Sequence, residues 1–207
     1  SSLGNVDNAA GAVLSVSGQV SARRVANGGE SPDGQPPRKA VVRIGENSTL
    51  LALEFSGAAG RLENAGSFKA LGGFALGEVQ NTGTLTIDSG SVTAGAIHDS
   101  GKMDIGEDAE LTAVSIQTGA DAELTNAGTV NALLQNYVKD KAQFVNSGTL
   151  NVSAQQGESS ELGRLTNAAG GAVNLSGEAS GLEIDNRGTL TLAAGSSLAG
   201  IGEDALA

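Results

Sequence analysis

One short unit recurs along most of this chain: apolar-x-Asn-x-Gly-x-apolar-x-apolar. It is cleanest from Val79 through Asn81 and Gly83 to Leu85 and Ile87. Variants place Asn8, Asn64, Asn126, Asn146, Asn167 and Asn186 at the same point of the unit, with Asp99 as the one acid. Gly66, Gly101, Gly128, Gly148 and Gly188 follow two residues later. From Asn64 onward these positions are separated by 17, 18, 27, 20, 21 and 19 residues. A period near 20 marks a structural repeat whose copies stack on one another. On each side of the bend the apolar residues alternate, as in Leu85 and Ile87 or Leu190 and Leu192. Alternation with period two places one set of side chains on one side of a strand. A second bend follows, as at Gly90 before Val92 and Ala94, so each unit holds two or three short strands.

These features predict an all-β fold, a right-handed parallel β-helix (a solenoid) of about nine turns with a repeat near 20 residues. Stacked at the usual strand spacing, nine turns make a rod of roughly 40 Å. Composition agrees. Aromatic residues are only 2% of the chain, with no Trp and one Tyr. A narrow core of stacked Val, Leu and Ile has little room for large rings. Gly, at 31 of 207 residues, serves the bends; the reading gives it the positive φ that a sharp corner would demand. An inward Asn in each bend would bond the Asn of the coils on either side, and Asp99 would interrupt that ladder because a carboxylate cannot donate as an amide does.

Two regions break the rhythm. Residues 26–39 hold all three prolines and read as a loop extruded from the coil. The pattern resumes at Val41 in a turn without the Asn-x-Gly bend. Residues 133–143 form a lengthened turn, and the span from Val130 to Ala142 is the best helical candidate. The spacing of 27 residues after Asp99 reads as an insertion between Gly106 and Ala122. Residues 1–207 make a single β-helix segment. It begins in mid-pattern at Val6-Asp7-Asn8, as expected of a piece of a longer chain.

The repeated Leu/Phe-x-Asn-x-Gly-Thr-Leu-x-Val pattern resembles the passenger regions of Gram-negative autotransporter adhesins. It is also similar to the filamentous-haemagglutinin-like exoproteins of two-partner secretion. The resemblance covers residue 6 to about residue 200. It implies a β-helix secreted to the bacterial cell surface, exported across the outer membrane. There it would serve adhesion or self-association, towards host-cell or matrix proteins and glycans or towards other copies, in host attachment or biofilm. The Asn-Pro-Asn-Leu secretion signature and a terminal β-barrel are missing from this stretch, which suits an interior or late passenger segment. The alternatives are an inert stalk carrying a separate effector domain and a β-helix enzyme acting on polysaccharide.

The formal net charge of −11 disfavours nucleic acid, whose phosphates need a cationic surface, and anionic membranes. Without Cys there are no disulfides or thiolate metal sites. No catalytic, cofactor or metal site is expected. His98 is the lone His and sits beside a bend, and Asp88, Asp104, Asp108, Asp121 and Glu123 are scattered. The acidic Gly-Glu-Asp runs at 106–108 and 202–204 lack a calcium-repeat pattern. Thr84-Leu85-Thr86 and Thr189-Leu190-Thr191 are too far apart to make an ice-binding array and read as strand exteriors. The Asn-x-Ser/Thr triplets at Asn47, Asn151 and Asn174 are at chance frequency. Binding is best placed in the added segments: Asn27, Glu30, Asp33, Arg38 and Lys39 in the proline-rich loop, and Tyr137, Lys139 and Lys141 in the lengthened turn, since loops on rigid scaffolds carry recognition.

Overall fold

The computed structural model describes residues 1–28, 38–132, 142–154 and 158–200, and the backbone of residues 137–138. Strand pairs with strand in parallel throughout, each segment bonding to the segment about one repeat earlier and one repeat later. The result is a β-solenoid of about nine turns with a repeat of about 19 residues. Among the described residues there is no helix. The proposed helix at 130–142 is corrected over its described start: Thr129–Ala132 is a strand paired with both neighbouring coils. Val130 and Ala132 point inward there, a period-two pattern that a helix would scramble.

Each coil has three faces. The first is formed by residues such as 84–87, 102–105 and Glu123–Asn126. The second follows with 92–94, 110–113 and Thr129–Ala132. The third closes the coil with 96–99 and 115–118. Inward positions stack in columns. On the first face Leu50, Phe68, Leu85, Met103, Leu124 and Phe144 lie one above another, all buried. The few aromatics cluster: Phe68 meets Phe55 and Phe74 edge-on, with centroids 5.8 and 6.2 Å away. Edge-to-face contact is the favoured ring geometry.

The Asn side chains do form ladders, but there are three of them, at three different corners. Asn8 donates to Asn27 at 2.8 Å, at the corner between second and third faces. Asn64, Asn81 and Asp99 occupy the corner between the third face and the next coil, linked at 2.7 and 2.6 Å. Asn126, Asn146, Asn167 and Asn186 occupy the corner between first and second faces, linked at 2.8, 2.8 and 2.7 Å. In every case the donating amide also reaches a carbonyl beyond the bend of the following coil, as Asn64 does to Thr84 and Asn126 to Thr149. The bend is therefore a portable corner piece that works wherever it is inserted.

This corrects the reading of the 27-residue spacing. The segment 106–122 holds no long insertion: its strand, Lys102–Thr118, pairs almost residue for residue with the coil before, with one irregularity after Ile87. Asp99 stacks on Thr118 nineteen residues on, and the remaining eight cross the first face to Asn126, which stacks on Ile105. The ladder ends record these jumps. Asn64 follows Ile44 and Asn126 follows Ile105, neither of which can donate, so Asn64 Oδ1 and Asn126 Oδ1 are buried without a hydrogen-bond partner.

The bend glycines are needed for a different reason from the one expected. None of Gly66, Gly83, Gly101, Gly128, Gly148 and Gly188 has positive φ. Instead, a Cβ on Gly83 would run into the carbonyl oxygen of Gly66, and one on Gly101 into that of Gly83. These coils stack backbone on backbone at the bend, and only glycine permits that approach. Gly83→Ala is expected to lower stability by about 1–3 kcal/mol, as over-packing does, read as a lowered urea midpoint.

Candidate functional site

Of the binding residues expected in the added segments, Asn27, Arg38 and Lys39 are described with their side chains. Asn27 is corrected outright: it ends the strand Gln19–Asn27, is buried, and accepts from Asn8. Residue 26 likewise belongs to the coil, since Ala26 pairs with Asp7 and Ser56. An Asn at an inward corner is satisfied only by its neighbours in the stack, so it cannot serve an external ligand. Glu30, Asp33, Lys139 and Lys141 lie outside the described residues. Tyr137 is described in its backbone alone, paired with Gln117 and Glu161 on the third face. Arg38 lies against Gly11.

Lys39 is drawn into an ion-pair chain along the third face. It bonds Glu78 at 2.6 Å, Arg61 reaches Glu78 at 3.6 Å and Glu63 at 3.1 Å, and Arg43 reaches Glu63 at 2.7 Å. The Lys39 ammonium, bonded to Glu78, holds that carboxyl below its ordinary range. Lys39 and Arg43 are exposed and Arg61, Glu63 and Glu78 half-buried, so solvent screens the pairs and they contribute little to stability. Their effect is to pin the returning end of the proline-rich segment across the coils.

His98 also faces outward on the third face, between Gln80 and Gln117. It borders a groove lined by Ser100, Gln117, Gly119 and Glu161. The scattered acids remain scattered: Asp88 pairs with Lys69 at 3.2 Å and Asp104 with Lys102 at 3.4 Å. Among the described residues no group of three or more His, Cys, Asp or Glu could hold a metal ion. Asp99 is buried at 1% exposure, with Oδ1 accepting from Asn81 and from the Gly101 amide and Oδ2 unpartnered. Burial pushes its carboxyl above the ordinary carboxylate value, partly offset by those two hydrogen bonds.

One ordered surface escaped the sequence reading. On the outside of the second face, Thr93, Thr112, Asn131, Asn151, Asn174 and Thr191 form a column in unbroken register. Beside it runs a second column, Ser91, Glu110, Thr129, Thr149, Ala172 and Thr189. Asn174 donates to Asn151 at 2.8 Å, Asn151 to Asn131 at 2.7 Å, and Asn131 to Glu110 at 2.9 Å. Of these twelve outward residues only Glu110 is charged. The corresponding stretch of the first face carries six charges: Lys102, Asp104, Glu123, Arg164, Glu183 and Asp185. The Thr-x-Thr pair at Thr189 and Thr191 gives way to Thr-x-Asn at Thr129 and Thr149, so the strip has no single sequence motif.

The fold and surface together define a parallel β-solenoid with a hydrogen-bonded outer strip that carries a single charge. No family model, curated protein or solved structure matches the chain.

Proposed function

We propose that this chain is part of the extracellular rod of a bacterial adhesin, exported across the outer membrane of a Gram-negative cell. It acts without catalysis, by holding its outer faces at a distance from the cell and engaging host-cell or matrix proteins and glycans, or other copies. The observation that carries this reading is the unbroken stack of coils. It spends its buried polar groups on shape, in the Asn ladders, and leaves its chemistry on exposed flat faces. The resemblance of the Asn-x-Gly-Thr-Leu unit to autotransporter and haemagglutinin-like passengers points the same way. A rigid rod whose strands pair only with their neighbours suits extension and lateral contact.

Bacteria displaying residues 1–207 on a neutral carrier are expected to attach to host cells or to one another several-fold better than bacteria displaying the carrier alone. Counting attached and clumped cells reads this out. Equal counts would remove the adhesive role.

A further inference from the structure

Building on the adhesive reading, we infer that the strip on the second face, with its single charge, is the contact surface for a second copy of this chain, laid face to face along the rod. Each copy carries a formal charge of −11, so two rods repel over most of their surfaces. The strip from Ser91 to Thr191 presents a single carboxylate, and Asn131 already bonds it. It is a place where two copies meet at low electrostatic cost.

The strip repeats once per coil, at the roughly 4.8 Å separation of paired strands. Another solenoid with the same coil rise stays in step across all six coils. A polymer with a different repeat drifts out of step. Aromatic rings, which would provide stacking platforms for sugars, are missing from all twelve positions.

The side chains are also prepared for such a contact. Asn131 donates to both Glu110 and Thr112, but Asn151 and Asn174 each spend one N–H on the ladder, and an amide has two. Asn151 and Asn174 thus keep an N–H and a lone pair for a partner, while the ladder bonds hold their rotamers. Ladders of Asn packed against their like are known to make close interfaces between β-sheets.

The size of the strip sets how the contact behaves. Six coils by two columns cover on the order of 300 Å² at these strand spacings. That is well below the roughly 800 Å² per partner of a stable complex. One pair of rods in dilute solution is therefore expected to separate, whereas many rods held on one surface add their contacts. Salt is expected to strengthen the association by screening the repulsion between acidic rods.

The test couples the 207-residue chain to beads and follows clumping by light scattering against salt. Beads carrying the native chain are expected to clump, more so as salt rises, while the free chain stays monomeric at micromolar concentration. Thr149→Glu with Thr189→Glu is expected to cut clumping at least tenfold. Those positions share a column with Glu110, so the fold already accommodates a glutamate there, and circular dichroism checks it. Thr84→Glu with Gln143→Glu adds the same charge on the first face and is expected to leave clumping unchanged. No clumping of native beads, or equal loss in both double variants, overturns the inference. If native beads do not clump yet bind host cells, the adhesive rod stands and this contact surface does not.

Discussion

Asn146→Ala is expected to lower the free energy of unfolding by about 3–5 kcal/mol, more than is usual for one polar side chain. Asn146 is fully buried in the middle of the longest ladder. It accepts from Asn126 at 2.8 Å and donates to Asn167 at 2.8 Å, to the Ala172 carbonyl at 3.1 Å and to the Gly148 carbonyl at 3.1 Å. Alanine strands one N–H of Asn126, whose other N–H keeps the Thr149 carbonyl, together with the Asn167 oxygen. Each buried unsatisfied group costs about 1–3 kcal/mol. Asn174→Ala is the control. Its ladder lies on the exposed outer face, where water takes over the lost bond, so its expected cost is within about 0.5 kcal/mol. Urea titrations of the two variants, with unchanged slopes, read the difference. Equal losses would mean that the inner ladders do not hold the corners.

Asp99→Asn is expected to act in the opposite direction, raising stability at neutral pH by about 1–3 kcal/mol, the usual cost of an unsatisfied buried group. Asp99 ends the Asn64–Asn81 ladder and leaves Oδ2 buried and unpartnered. An amide there would still accept from Asn81. It would also donate towards the following coil, as Asn81 does to the Lys102 carbonyl. The pH dependence follows from the raised carboxyl. The folded chain binds this proton more tightly than the unfolded chain does. The stabilisation from protonation is complete below the ordinary carboxylate value and is lost as pH rises through the higher folded value. The advantage of asparagine is therefore smallest in acid, grows across that window, and is constant above it. Melting curves of both proteins at several pH values measure it. A gain that is unchanged between acid and neutral pH would assign the effect to something other than the buried charge.

Much of the fold was legible because its physics is local. Alternating Leu85 and Ile87 define a strand whatever lies beside it, and Asn81-Thr82-Gly83 defines a bend. What could not be read was which corner a bend occupies. Asn64, Asn126 and Asn8 bond the following coil in the same way at three different corners, so the spacing from Asp99 to Asn126 looked like an insertion instead of a full turn plus one face. Asn27 was hidden for a related reason. It is followed by Gly28 and Gly29 rather than by the usual bend, and its partner Asn8 identifies it only once the coils are stacked. The outer strip was invisible for the same cause: Thr149-x-Asn151 is unremarkable until it is placed beside Thr129-x-Asn131. The bend glycines were recognised, but their reason depends on the coil below, which local sequence does not show.

The central claim is that the ladder changes corner between Asp99 and Asn126, so that residue 126 sits on residue 105. The chain has no native Cys, so a disulfide can report this register without interference. Thr125 and Asp104 are outward neighbours on paired strands of the first face, and strand spacing lies within the Cα separation a disulfide accepts. A single ladder running through every bend would instead set Thr125 beside His98. The measurement is the rate of cross-linking under mild oxidation. Asp104→Cys with Thr125→Cys is expected to close rapidly, and His98→Cys with Thr125→Cys to stay open. The reverse pattern would contradict the three-corner solenoid.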